Sequence, residues 1–221
     1  MDYELEKMIE KSNDLELDNY LNVLKREIQA NNKVLNNTQS SNNVWVITSE
    51  ATDDPPTRGA YNTSNAVTYA NKYALTYNSS YHNFDSSGGD CTNFTSQCLY
   101  AGGITMHKGT HLAGNCWYYT SANNRSSTWN GSNEFKNYIN STSSKIDKTN
   151  SSFSGVTHGD IIQLTSSGTP YHSLIVTGIV TSGSGRTDLL VCAHSSNKKN
   201  ASLQSYYSGN TKIYHHIKGT K

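Results

Sequence analysis

The residues best suited to chemistry stand in one short block, Gly88-Gly89-Asp90-Cys91-Thr92-Asn93-Phe94-Thr95-Ser96-Gln97-Cys98. Two glycines permit a tight approach, and the spacing that follows predicts a helix with Cys91 in its first turn. That position favours a thiolate, because unpaired backbone N–H groups and the positive end of the helix dipole face the sulfur. The same N–H groups suit an oxyanion formed when the sulfur attacks a carbonyl. Phe94, Cys98 and Ala101 then follow at core spacing. Read alone, Cys91 is equally well a small buried apolar residue, as free cysteines often are.

A thiol nucleophile needs a base in hydrogen-bond reach, and the base needs an orienting group. Tyr171-His172-Ser173-Leu174-Ile175-Val176-Thr177 sets one histidine at the mouth of an apolar strand. Leu189-Leu190-Val191-Cys192-Ala193-His194 sets a second near the end of the next strand. If a hairpin turns near Ser184, both histidines reach one open end as cross-strand neighbours, Cβ atoms about 5 Å apart. His172 then faces the thiol and His194 holds its tautomer, a Cys-His-His version of the triad. A solvated or structural histidine is the plainer reading of either one alone. Asp188 and Asn197 are alternative orienting groups.

Other constellations carry less. His107 and His111 have the i, i+4 spacing of metal ligands, but Gly109 lies between them and no carboxylate accompanies them, so they read as loop residues. Cys91, Cys98, His172 and His194 form a conceivable zinc set, yet Cys-x₆-Cys lacks the close pairing of structural zinc sites. Cys98 and Cys116 read as buried, Cys192 shares a strand face with His194, and His215-His216 on the last strand carries no signal. There is no P-loop, no GxGxxG after a strand and no HExxH, so neither metal nor cofactor is expected.

The elements that must position these groups follow from periodicity. Asn62, Thr63 and Ser64 offer N-caps to a helix whose Ala66, Tyr69, Ala70, Tyr73 and Tyr77 form one apolar stripe. The helix at Cys91 is predicted to end at Gly102-Gly103. Residues 107–150 read as mostly loop with a short helix over 132–139. Strand patterns then cover 160–165, 171–181, 187–194 and 212–217, with Gly183-Ser184-Gly185 turning the middle pair. Helices first and antiparallel strands after them give an α+β class, a nucleophile-bearing helix packed on an antiparallel sheet.

Length and composition bound the rest. With 221 residues the chain fits one domain, or one with an appendage. Charged residues are only 16%, Ser, Thr, Asn and Gly filling the difference, while 10% aromatics argue against disorder. A net charge of +1 makes no case for nucleic acid or an acidic membrane. No run approaches the about 20 apolar residues of a membrane span. Residues 1–30 carry a net charge of −4 and the remainder +5. There Leu17, Tyr20, Leu21, Leu24 and Ile28 predict an amphipathic helix suited to a partner or to self-association. A polar linker at 31–43 separates this arm from a domain over 44–221, which opens on a strand at 44–48 before the break at 53–56. The start lacks a basic region followed by an apolar one and does not read as a signal peptide. The chain is then cytoplasmic, exported by another route, or a fragment without its leader.

Gly89-Asp90-Cys91-Thr92-Asn93-Phe94 with Ser96-Gln97, Trp117, Trp129, Gly159-Asp160-Ile161-Ile162-Gln163 and His172-Ser173-Leu174-Ile175-Val176 together resemble the bacterial putative amidase domain. That domain is similar to the NlpC/P60 and CHAP peptidases of the papain-like superfamily. The resemblance spans roughly residues 58–217. It implies Cys91 as nucleophile, His172 as general base and His194 as the third polar residue. It further implies hydrolysis of a peptide or amide bond in bacterial peptidoglycan through a thioester, acting at the cell wall or after export. The Cys91 N–H is one expected oxyanion donor; the second is open between Tyr81 and a loop N–H. Trp117 and Trp129 read either as groove or as core. Two other functions fit the same residues: an acyl or aminoacyl transferase on this scaffold, and a catalytically inactive binding module.

Overall fold

The computed structural model of the chain describes residues 60–183 and 185–221. The expectations for the arm, the linker, the strand at 44–48 and the break at 53–56 lie outside the described residues. Helix α1 runs Thr63–Tyr73, with Asn62 as N-cap accepting from the Asn65 N–H at 3.0 Å. Ala66 and Ala70 are fully buried and Tyr69 and Tyr73 pack beside them, while Tyr77 follows the helix end.

Helix α2 runs Cys91–Ala101. It starts after Gly88 and Gly89, whose φ of 101° and 110° lie where glycine alone sits without strain. A Cβ on Gly89 would meet the Ser195 Oγ at 3.3 Å, so this turn passes close to the chain leaving the sheet. Every residue from Cys91 to Leu99 is buried. Full burial of a side chain such as Phe94 or Leu99 contributes roughly 1.5–3 kcal/mol. Packing therefore outweighs helix propensity in fixing α2. At its end the Gly102 N–H bonds the Cys98 carbonyl, and Gly103 takes a φ of 92°.

Between 107 and 150 the helix expected over 132–139 is present as Ser132–Ile139. The region holds more order than its composition predicts. A hairpin of β1 (Tyr119–Ser121) and β2 (Asn124–Arg125), the one-turn helix α3 (Ser127–Asn130) and strand β3 (Ile146–Asn150) surround that helix, which is α4.

Strands β4 (Ile161–Ser166), β5 (Thr169–Ser182), β6 (Gly185–Ala193) and β8 (Thr211–Thr220) lie where the sequence predicts strands. Strand β7 (Lys198–Ser202) and helix α5 (Leu203–Tyr207) come between β6 and β8. Six strands form one antiparallel sheet in the order β3-β8-β4-β5-β6-β7. Alternate residues of the central strands serve two cores. Ile161, Ile175 and Cys192 pack with α1 and α2, whereas Ile162, Leu174, Val176 and Val191 pack with Val156 and Leu203. Burial on both faces is why these strands read as near-continuous apolar runs. The architecture is α+β, with most helices ahead of an antiparallel sheet and α5 inserted before its last strand.

Candidate active site

Cys91 is the first residue of α2, and no side chain caps that turn. Its Sγ lies 3.6 Å from the Ser132 Oγ and 3.8 Å from the Thr92 Oγ1. Burial by itself would raise the thiol pKa. The nearby His172 imidazole outweighs this, helped by the Ser132 hydroxyl and the Ser173 backbone, and brings the thiol from 9.0 down to about 7. The other three cysteines go the opposite way. Burial pushes Cys98, Cys116 and Cys192 upward.

His172 stands at an irregularity of the sheet. Leu164 pairs with His172 but Thr165 pairs with Pro170, so β5 carries an extra residue there. Bulges of this kind re-aim a side chain, and they gather next to active sites. The imidazole is flanked by the rings of Tyr171 and Tyr207, at 6.5 and 6.1 Å between centroids.

His194 occupies a different place. Its Nδ1 lies 2.6 Å from the Asp90 carboxylate and its Nε2 lies 2.8 Å from the Tyr73 carbonyl. A carbonyl only accepts, so Nε2 donates to it, while Nδ1 faces the Asp90 carboxylate. Both nitrogens are thereby committed, and neither is left to take an N–H from His172. The Phe94 ring stacks on the imidazole at 4.0 Å and the Tyr77 ring lies at 4.5 Å. The other candidate orienting groups are also engaged elsewhere. Asp188 accepts from the Ser202 hydroxyl and the Gln204 N–H and stands opposite Val180 in the β5–β6 pair, while Asn197 accepts from the Tyr77 hydroxyl.

A buried polar group around the sulfur has no counterpart in the sequence reading. The Thr92 Oγ1 lies 2.7 Å from the Ser132 Oγ and 2.8 Å from the Ser173 Oγ. The Gln163 amide donates to the Ser132 carbonyl at 2.8 Å and to the Ser173 Oγ at 3.2 Å. Its Oε1 meets the His215 Nε2 at 3.1 Å. Burial, with Lys148 and Lys136 adding to it, lowers the His215 pKa to about 3, so this ring is neutral at ordinary pH. A glutamine between Ile162 and Leu164 is the signal in the sequence.

Asp90 and Asp160 both hold the scaffold. Asp90 accepts from the Phe84 N–H at 2.9 Å and the Asn93 amide at 2.7 Å, besides meeting His194. Asp160 accepts from the Thr157 and Ile217 N–H groups at 2.7 and 2.9 Å, and it also meets the His216 Nδ1 at 3.0 Å. Trp117 and Trp129 belong to the core, both fully buried, with their indole N–H groups donating to Ser96 and Asn93. The Tyr81 ring packs on Tyr119 and Trp129. His107 meets the Tyr138 hydroxyl and His111 the Arg125 carbonyl. A concavity of about 620 Å³ is lined by Tyr77, Asp85, Gly88, Gly89, Ser195, Ser196 and Asn197. Cys91 itself does not line it.

A family model described as the putative amidase domain matches residues 60–217. The chain belongs to that family, which points to amide hydrolysis. No curated protein and no solved structure matches the chain.

Proposed function

For this member of an amidase family, we propose that Cys91 is the nucleophile of a cysteine-dependent hydrolase with a papain-like domain. The reading is supported by the place of Cys91 at the start of α2, with its sulfur against the Ser132 and Thr92 hydroxyls, and by the contrast among four buried thiols. Only Cys91 is drawn down, to about 7, and His172 is the group that draws it. His172 takes the thiol proton, and the thiolate attacks the amide carbon. The oxyanion that forms accepts from N–H groups at the start of α2, where charge of that sign is favoured. Collapse breaks the C–N bond, and His172 returns the proton to the leaving amine. Water then attacks the thioester with His172 as base and releases the carboxylate. His194 and Asp90 act through the position of the α2 turn.

The substrate follows from the likeness to NlpC/P60 and CHAP peptidases and is a peptide or amide bond of peptidoglycan. Residues 1–43 stand outside the catalytic domain in this reading, consistent with a family match that begins at residue 60. Purified peptidoglycan incubated with the wild type should release soluble fragments with new amine ends. Cys91→Ala should release none while melting at a similar temperature. Turnover by that variant within tenfold of the wild type would overturn the assignment.

A further inference from the structure

We propose that the Ser132 hydroxyl is the donor that holds the Cys91 sulfur as thiolate, backed by a one-way chain of hydrogen bonds running from His215 through Gln163, Ser173 and Thr92. The inference rests on Cys91 being the nucleophile and adds the groups that tune it.

Two members have a fixed polarity. The Ser132 carbonyl can only accept, so the Gln163 nitrogen must face it, at 2.8 Å. The Gln163 oxygen therefore faces the His215 Nε2 at 3.1 Å and requires a proton there. His215 is neutral and has a single N–H to give. Its Nδ1 is a buried bare acceptor with no partner, as this tautomer requires. The other tautomer would bury an unsatisfied N–H and set two acceptors face to face.

The shortest contact at each hydroxyl gives the remaining directions. The second Gln163 N–H goes to the Ser173 Oγ at 3.2 Å. Ser173 accepts there, and its own proton goes to the Thr92 Oγ1 at 2.8 Å in preference to the Ser132 Oγ at 3.5 Å. Thr92 then gives its own to the Ser132 Oγ at 2.7 Å. The Ser132 proton is left for the sulfur at 3.6 Å, closer than the Thr92 Oγ1 at 3.8 Å. A thiolate accepts and cannot donate, so both ends of the chain agree on one direction. Hydrogen bonds in series polarise one another at low dielectric, which strengthens the last. The chain joins β8, β4, β5 and α2 to the start of α4, so the sheet itself sets the position of the final donor.

The test is the rate at which iodoacetamide alkylates Cys91 in the full chain, followed against pH. The wild type should show an inflection near 7. Ser132→Ala should move it up by about one unit, a tenfold loss of thiolate below the inflection. Ser132→Thr, which keeps a hydroxyl, should restore it. Thr92→Val keeps the branched shape without the hydroxyl and should move the inflection the same way by less. An unchanged inflection in folded Ser132→Ala overturns the proposal, and so does a shift that Ser132→Thr fails to reverse. If Ser132→Ala does not fold, an unchanged inflection in Thr92→Val overturns it instead. A wild type with no inflection near 7 overturns the nucleophile assignment as well, whereas variants that match a normal wild type overturn this inference alone.

Discussion

Asp90 and His194 meet at 2.6 Å, each only 1% exposed, and the contact ties the residue before the nucleophile to the end of β6. With the second His194 nitrogen on the Tyr73 carbonyl, one imidazole pins α1, α2 and the sheet together. Removing one partner leaves the other buried without its match, which costs on the order of 3–5 kcal/mol. Asp90→Ala is therefore expected to lower the midpoint of urea unfolding sharply. An unfolding curve that overlays the wild type would show that the pair contributes little.

The two histidines should separate in kinetics. A general base contributes about 10²–10⁴-fold, so His172→Ala should lower kcat/KM by at least a hundredfold. His194→Gln can still donate to one partner and should keep activity within roughly tenfold where it remains folded, because it touches neither substrate nor sulfur. Equal losses at full folding would place His194 in the chemistry.

Acid stability should depend on His215. Burial holds its folded pKa at about 3 against 6.5 for the free group. Between those values the unfolded chain binds a proton that the folded chain does not, so stability falls as pH drops from 6.5 toward 3. It is fully present above 6.5. The expected slope from this one group is about 1.4 kcal/mol per pH unit. Urea titrations at several pH values should show His215→Gln with a flatter acid limb than the wild type.

Much of the scaffold was legible because its signals are local. Asn62 as cap, Gly102-Gly103 as stop and the apolar runs of β4 to β6 each announce themselves within a few residues. Strands β3 and β7 did not, and the sheet order explains why. They are its two edges, with the polar sequences IDKTN and KKNAS, and edges carry lysine and avoid apolar continuity. Of the proposed site, Cys91 and His172 stand out in the sequence by the helix start and the strand mouth. The place of His194 does not, because it depends on a partner more than a hundred residues away at Asp90. Ser132, Thr92 and Gln163 escaped for the same reason. Hydroxyls are common in this chain, and only tertiary contacts select the two, Ser132 and Thr92, that meet one sulfur.

The central claim is that one of four buried thiols is an activated nucleophile. The most direct measurement is labelling of the native full chain with one equivalent of iodoacetamide at pH 7, followed by peptide mapping and an assay of amide hydrolysis. The label should land on Cys91, and activity should fall in proportion to it. Label on Cys98, Cys116 or Cys192 instead, or full activity with Cys91 blocked, would contradict it.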